Sequence, residues 1–163
     1  MVARAPARNK APARTHNDTE GGRVKRIGMN VDLFQSEQSR PASERVLALL
    51  LEALTQANEL FLAAHPNTPP LYQSGVRYMQ EPPGAEEWNT IPVCLDEWQN
   101  GRGSDCEDLA CWRVAELRRA GIPATPSFFF RRRGELSIYH IIVRLPDGTR
   151  EDPSSLLGMR SYA

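Results

Sequence analysis

The sequence predicts an α+β domain in which helices pack against a small antiparallel sheet, and three patterns support this. From Pro41 to Ala64, apolar residues recur at spacings of three and four, which is typical of a helix that buries one side. A second helix is expected from Cys106 to Ala120, because Gly121 and Pro123 follow it as stop signals. Alternating apolar residues from Leu136 to Leu145 predict a strand that continues into a hairpin.

The first helix is expected to be largely buried and to carry no chemistry. Pro41 suits its first turn, and Pro66 ends it. The apolar face predicted from the spacing consists of Val46, Leu47, Leu50, Leu54, Ala57, Phe61 and Ala64. This face would be widened by Leu49, Leu51 and Leu62.

The segments before and after the second predicted helix differ in their expected secondary structure. Prolines between Pro66 and Pro92 predict loops rather than long regular elements. After the helix, the continuous apolar run from Ser127 to Phe130 suits a buried strand. The chain is then expected to turn at residues Arg131 to Gly134, as a solvated hairpin tip or as a contact for an anion or partner.

The distribution of charge separates a basic arm from the domain. The 163 residues have a formal net charge of zero, but residues 1–26 carry seven Lys and Arg against two acidic residues. We expect residues 1–26 to be a disordered basic arm and residues 27–163 to be the domain. The arm is either a solvated tail or a segment that orders against a protein partner. Nucleic acid is a weaker alternative, because the arm has no aromatic residue to stack on bases.

The composition also indicates which cellular compartment and which cofactors to expect. We find no stretch of about eighteen apolar residues for a membrane span, and no signal-peptide core, which predicts a cytoplasmic protein or one assembled in a virion. Three cysteines cannot all pair within one chain, so a reducing compartment is expected, with Cys94 and Cys111 as small buried hydrophobic residues. A zinc site from these two cysteines with Cys106 and His140 lacks a recognised ligand spacing. We therefore predict no metal and no organic cofactor.

Cys106 occupies a position that suits a nucleophile. A polar loop from Gly101 to Asp105 precedes it, and the side chain of Ser104 or Asp105 is expected to cap the helix. A thiol in the first turn lies at the positive end of the helix dipole, which favours thiolate. The backbone N–H groups there can also stabilise an oxyanion.

The hairpin after the predicted strand supplies a base and its orienting group. Pro146 and Gly148 predict a three-residue loop between Leu145 and Thr149. In that register Asp152 faces residue 142, and His140 lies on the same face of the sheet two residues away. The two side chains are then diagonal neighbours within reach of each other. A thiol, an imidazole and a carboxylate in this order predict a catalytic triad of Cys106, His140 and Asp152.

These residues resemble a known family. The runs Asp105–Ala110, Tyr139–Val143 and Glu151–Ser154 are similar to motifs of the transglutaminase-like (papain-related) cysteine protease and acyltransferase superfamily. The first run is similar to the Gly-Asp-Cys-Glu-Asp-like sequence of bacterial transglutaminase-like cysteine proteinases, except that Ser104 separates the glycine from Asp105. The resemblance implies a transglutaminase-like core in which a nucleophile helix packs on the sheet. Small proteins of this kind without a signal look like products of bacteria or tailed phages.

The resemblance also suggests roles for nearby residues. Gln99 stands seven residues before Cys106, where papain-like enzymes place an oxyanion donor. The side chains of Gln73, Trp88 and Trp98 are alternative donors, and Gln99 can instead end a short helix. Trp88, Trp98 and Tyr139 are candidates for the wall of a substrate groove, and their alternative role is to cover a small core. The remaining acidic residues of the first helical turn, Glu107 and Asp108, are expected to be solvated or packing groups that support the helix start.

Two functions follow from these observations. The first is thiol-dependent acyl transfer or amide hydrolysis on a protein or peptide. The second is a non-catalytic structural or docking protein of a larger assembly, for example a phage particle, in which partners order the basic arm. The sequence does not choose between hydrolysis and crosslinking, because that depends on whether the groove excludes water and admits an amine.

Overall fold

The structure is a computed structural model that describes residues 38–81, 86–133 and 136–160, and for residues 131–138 it describes the backbone alone. The basic arm predicted for residues 1–26 and its boundary with the domain lie outside the described residues. The described chain contains α1 (Arg40–Ala64), a 3-10 turn (Leu71–Gln73), α2 (Ile91–Gln99), α3 (Cys106–Arg119), β1 (Thr125–Arg133), β2 (Leu136–Arg144), β3 (Arg150–Glu151) and α4 (Pro153–Leu156). This mixture of helices and a small sheet is an α+β architecture, as predicted.

The sheet is antiparallel with the order β1-β2-β3, so β2 lies in the middle. The hairpin between β2 and β3 has the predicted register, because Val143 pairs with Glu151 and the N–H of Leu145 donates to the carbonyl of Thr149 at 2.9 Å. Gly148 adopts φ 85°, the left-handed conformation that the predicted loop requires. The loop chemistry therefore fixes which residues of β2 lie opposite the segment that carries Asp152.

The strand predicted at Ser127–Phe130 is present, but its side chains are not fully buried as expected. Phe128, Phe129 and Phe130 are all half-buried, because β1 is an edge strand of the described sheet. The strand also continues through Arg133, so the chain does not turn at Arg131 as predicted. Gly134 lies outside the described residues.

The position of α1 agrees with the prediction, but the orientation of its face does not. The buried residues of the helix are Ser43, Leu47, Leu51, Leu54, Thr55, Asn58 and Leu62. Ala57 and Ala64, which were assigned to the buried face, are exposed. Leu49 and Leu60 are 71% and 73% exposed, so the helix is less buried than expected. The face is set by packing against α3 and β1, and the spacing of many neighbouring leucines did not determine it.

Among the residues that the structure describes, α1 is long and apolar enough to cross a membrane when judged by length and composition. This differs from the expectation that no such stretch exists. A core helix passes the same test, and α1 supplies Leu47, Leu51 and Leu54 to a core shared with α3 and β2.

Helix α3 lies between two apolar clusters and organises the fold. The first cluster consists of Leu47, Leu51, Leu54, Ala110, Cys111, Val114, Leu117, Ala124, Ile141 and Val143. The second consists of Leu62, Leu71, Val76, Ile91, Cys94, Leu109, Trp112, Ala115 and Leu157. Because α3 is buried on both sides, its position is fixed, and its first residue, Cys106, packs against the first cluster.

Candidate active site

Cys106 is the first residue of α3 and is partly buried, as the sequence predicts. Asp105 occupies the N-cap position, but its side chain forms no cap hydrogen bond, and the hydroxyl of Ser104 lies beside the thiol of Cys94. The expected side-chain cap is therefore wrong. The carboxyl group of Asp105 instead lies beside the carboxyl groups of Glu107 and Asp108.

The loop before Cys106 is fixed by residues 77–79. Ser104 forms a parallel bridge with Tyr78, and its carbonyl accepts the N–H of Met79 at 2.9 Å. A Cβ on Gly103 would lie 2.7 Å from the carbonyl oxygen of Arg77 and would also collide with the Met79 side chain. Glycine at position 103 therefore allows two backbone segments to approach closely, and this places the start of α3.

The thiol of Cys106 is not activated in the way the sequence predicts. Its Sγ donates to Oε2 of Glu107 at 3.4 Å. Burial and the negative charge of Glu107 raise the pKa of the thiol well above its ordinary value, whereas the backbone N–H of Ile141 acts in the opposite direction. The expected thiolate is therefore not the favoured state, because desolvation and nearby carboxylates outweigh the helix dipole.

His140 and Asp152 form the predicted contact. Nε2 of His140 lies 2.9 Å from Oδ2 of Asp152, and the side chains are 17% and 32% exposed. Oδ1 of Asp152 accepts the N–H of Ser155 at 3.1 Å, because Asp152 is the N-cap of α4. Phe129, opposite His140 on β1, places its ring centroid 5.5 Å from the imidazole. The contact uses Nε2, so Nδ1 is the ring nitrogen left to exchange a proton with a thiol.

The sulfur of Cys106 contacts β2 at Ile141, the residue after His140, and consecutive residues of a strand direct their side chains to opposite faces of the sheet. The N–H of Ile141, which directly follows His140, faces the sulfur of Cys106. Strand β3 ends at Glu151 opposite Val143, so in the described sheet it does not extend as far as Ile141. Among the described residues, no hydrogen bond joins the sulfur to the imidazole. The meeting of all three groups therefore stays a prediction, whereas the contact between imidazole and carboxylate is present.

A buried acidic cluster surrounds the start of α3, so that of the two roles expected for Glu107 and Asp108, solvated or packing, the structure shows packing. Asp105, Glu107 and Asp108 are buried, and their oxygen atoms lie within 4.8 Å of one another. Asp105 and Glu107 form a side-chain hydrogen bond with each other, and Oδ1 of Asp108 accepts the N–H of Asn89 at 2.6 Å. The cluster continues to the surface through Glu81, which lies with Glu86 beside Asp105.

Burial and mutual repulsion hold protons on this acidic cluster. Burial raises the pKa of Asp105 to about 6 and that of Glu81 to about 7. Burial, and then the charge of Asp105, raise the pKa values of Glu107 and Asp108 well above their ordinary values. Three acidic residues within four positions, 105–108, were the sequence signal for this cluster.

The same carboxyl groups are the described residues best suited to hold a metal. Their oxygen atoms match hard divalent cations such as Ca²⁺ or Mg²⁺ rather than zinc. The thiols of Cys94 and Cys111 are buried and donate to the backbone carbonyls of Asn89, at 3.7 Å, and Leu51, at 3.4 Å. These two cysteines are small buried hydrophobic residues, as predicted.

The remaining candidate residues lie in different places. Gln99 is exposed and is the last residue of α2, which matches its alternative role of ending a short helix. Trp88 and Tyr139 are partly buried against the first apolar cluster, as is Cys106. Trp98 packs against the second cluster, near Gly75, and so does not share that surface.

Comparison with known proteins gives no matching family model, no matching curated protein and no matching solved structure. The resemblance to the transglutaminase-like superfamily is therefore one of three short sequence motifs and their order along the chain.

Proposed function

We propose that the protein catalyses thiol-dependent acyl transfer or amide hydrolysis through Cys106, His140 and Asp152. The observation that carries the proposal is the hydrogen bond of 2.9 Å between Nε2 of His140 and Oδ2 of Asp152. That bond orients an imidazole from the residue next to Ile141, whose N–H faces the sulfur of Cys106. The proposal places the chain in the transglutaminase-like superfamily, on the resemblance of the three motifs.

The reaction would proceed by covalent catalysis. The sulfur of Cys106 attacks an amide carbonyl of a protein or peptide as the thiol proton passes to Nδ1 of His140. In this proposal the backbone N–H of Cys106, at the start of α3, stabilises the oxyanion that forms. His140 then protonates the leaving amine, and a thioester remains on Cys106. Water gives a carboxylic acid, whereas a lysine amine gives a crosslink.

The acidic cluster determines how the thiol is activated. Because burial and the hydrogen bond from Sγ to Glu107 both oppose negative charge on the sulfur, the resting group is a thiol rather than a thiolate paired with imidazolium. Proton transfer to His140 therefore accompanies attack on the substrate. The role of Asp152 is to hold the imidazole with its proton on Nε2, so that Nδ1 can act as the base.

A docking protein without catalysis is the second candidate. The raised pKa of the buried Cys106 thiol favours this alternative, because a protonated thiol is a poor nucleophile. In this case the protein would belong to a larger assembly, for example a phage particle, and partners would order residues 1–26.

The two candidates are separated by exposing a denatured protein mixture to the full chain, with and without a fluorescent primary amine. New peptide N-termini indicate proteolysis, glutamine converted to glutamate indicates deamidation, and labelled glutamine indicates transfer. Cys106→Ala should abolish whichever reaction occurs, whereas Cys111→Ala removes a buried thiol from the same helix and should retain it. No reaction with the folded wild-type chain would contradict the enzyme proposal and favour the docking protein.

A further inference from the structure

A polar network surrounds the side chain of Glu151, the residue that precedes Asp152. Glu151, the last residue of β3, accepts from Nε of Arg113 at 2.6 Å and from the hydroxyl of Tyr72. Arg113 also donates to Glu116 at 3.1 Å, and its guanidinium lies over the Tyr72 ring, 5.2 Å from the centroid. The network therefore joins α3, the 3-10 turn and β3.

The network is enclosed enough to fix geometry. The side chains of Arg113 and Glu151 are 24% and 19% exposed. Glu116 is held in turn, because it accepts the N–H of Leu71 at 2.6 Å. A guanidinium that donates to two carboxylates and stacks on a ring has little freedom to move, which is a property that lysine does not share.

Strand β3 needs such a restraint. It has two residues, and its ladder with β2 consists of the pairs Val143–Glu151 and Arg144–Arg150. Successive residues of a strand point to opposite faces, so fixing the side chain of Glu151 on the α3 side fixes the backbone from which Asp152 projects. Arg113 lies seven residues, or about two helical turns, after Cys106 on α3.

We propose that Arg113 and Glu151 are positioning residues that hold the carboxylate of Asp152 in place relative to the helix that carries Cys106. This inference depends on the proposed function, because it assigns the network a role in the same site. Neither residue touches the reacting atoms. They act through the β3 backbone, by keeping Oδ2 of Asp152 against Nε2 of His140 and so selecting one tautomer of the imidazole.

The test measures that tautomer directly. The protein is labelled with ¹⁵N-histidine, and the two ring nitrogens of His140 are recorded at pH 8.5, well above the ordinary histidine pKa of about 6.5. The wild type should show the proton on Nε2, and Arg113→Gln should show a mixture of tautomers. The rate of Cys106 alkylation should fall about tenfold to a hundredfold, as for a small displacement of a catalytic group. Arg113→Lys should recover part of both losses.

Arg118→Gln is the matched control. Arg118 lies on the same helix, is similarly exposed at 22%, and forms an ion pair of 2.7 Å with Glu52 on α1 rather than with β3. The Arg118→Gln variant should lower the melting temperature by about as much as Arg113→Gln does, without changing the His140 tautomer or the Cys106 alkylation rate. Should Arg113→Gln fail to fold, Tyr72→Phe removes one donor to Glu151 and keeps the ring, and it should give a smaller change in the same direction.

The outcomes separate this inference from the proposed function. Folded Arg113→Gln and Tyr72→Phe proteins with an unchanged tautomer would overturn the positioning role, even if Cys106 proves reactive. If wild-type Cys106 is unreactive, the proposed function fails, but a tautomer that changes in Arg113→Gln and not in Arg118→Gln still supports the positioning role.

Discussion

The carboxylate of Asp152 serves two neighbours at once, with Oδ2 lying 2.9 Å from Nε2 of His140 and Oδ1 accepting the N–H of Ser155 at 3.1 Å. Asp152 is therefore both the N-cap of α4 and the orienting group of the imidazole. The turn that ends β3 holds the carboxylate by one oxygen, which leaves the other oxygen directed at the imidazole.

The Asp152→Asn variant separates the two roles. Its Oδ1 can still accept from Ser155, so the free energy of unfolding should change by less than about 1 kcal/mol. The amide N–H₂ then faces Nε2 and favours the wrong tautomer of His140, so alkylation of Cys106 should slow about tenfold or more. Alkylation kinetics and urea unfolding measure both effects. Asp147→Asn, in the exposed turn of the same hairpin, is the control and should leave the rate unchanged.

Glu107→Gln should make the thiol more reactive. Glu107 raises the thiol pKa by accepting from Sγ and, once ionised, by its charge, and the amide keeps the shape but cannot ionise. The pH at which the rate of Cys106 alkylation is half-maximal should therefore fall, and the rate should rise at each pH at which Glu107 of the wild type is ionised. Glu97→Gln, which removes an acidic group from α2, is the matched control. An unchanged or slower rate for Glu107→Gln would show that Glu107 does not suppress the thiolate.

Stability should decrease as the pH rises from 5 to 8. Carboxyl groups whose pKa is higher in the folded state bind protons more tightly there and so stabilise the fold. Their contribution to the free energy of unfolding is fully present below about pH 4 and is lost as the pH rises through the folded-state pKa. These folded values are about 6 for Asp105 and about 7 for Glu81. Glu52, whose pKa is lowered by Arg118, acts in the opposite direction but below this window.

The measurement is urea unfolding at several pH values in the presence of a chelator, so that cations do not replace the protons. The free energy of unfolding should fall by on the order of 1 kcal/mol between pH 5 and pH 8. Glu81→Gln should remove part of that slope. A stability that is constant or increases over this range would contradict the burial of the acidic cluster.

The orientation of α1 is tested by two leucines on opposite sides of the helix. Leu51 is fully buried against α3, whereas Leu49 is 71% exposed. Leu51→Ala should destabilise the protein by roughly 2 to 5 kcal/mol, and Leu49→Ala should change the stability by no more than about 0.5 kcal/mol. Thermal and urea unfolding of both variants provide the comparison. Similar losses for both variants would contradict the buried face described for α1.

The sequence was most informative where local chemistry decides the structure. Pro146 and Gly148 predict a loop of defined length, and the loop length determines that Asp152 and His140 share a face of the sheet. The start of α3 at Cys106 was likewise predicted, because a polar loop precedes a helical pattern that ends before Gly121.

Features that depend on distant partners were not predicted. The sequence left open whether Glu107 and Asp108 are solvated or packed, because the contact that decides it for Asp108 comes from Asn89, 19 positions away. The buried side of α1 depends on where α3 lies, since Leu49, Leu50 and Leu51 give several equivalent stripes. The pairing of Arg113 with Glu151 joins residues 38 positions apart and has no local signal.

The most direct test of the central claim is the alkylation rate of each cysteine in the folded protein, measured by mass spectrometry with iodoacetamide. We predict that Cys106 reacts much faster than the buried Cys94 and Cys111, and that His140→Ala removes this advantage while the fold is retained. Equal, slow labelling of all three cysteines, or a rate at Cys106 that does not respond to His140→Ala, would contradict a Cys–His–Asp catalytic site.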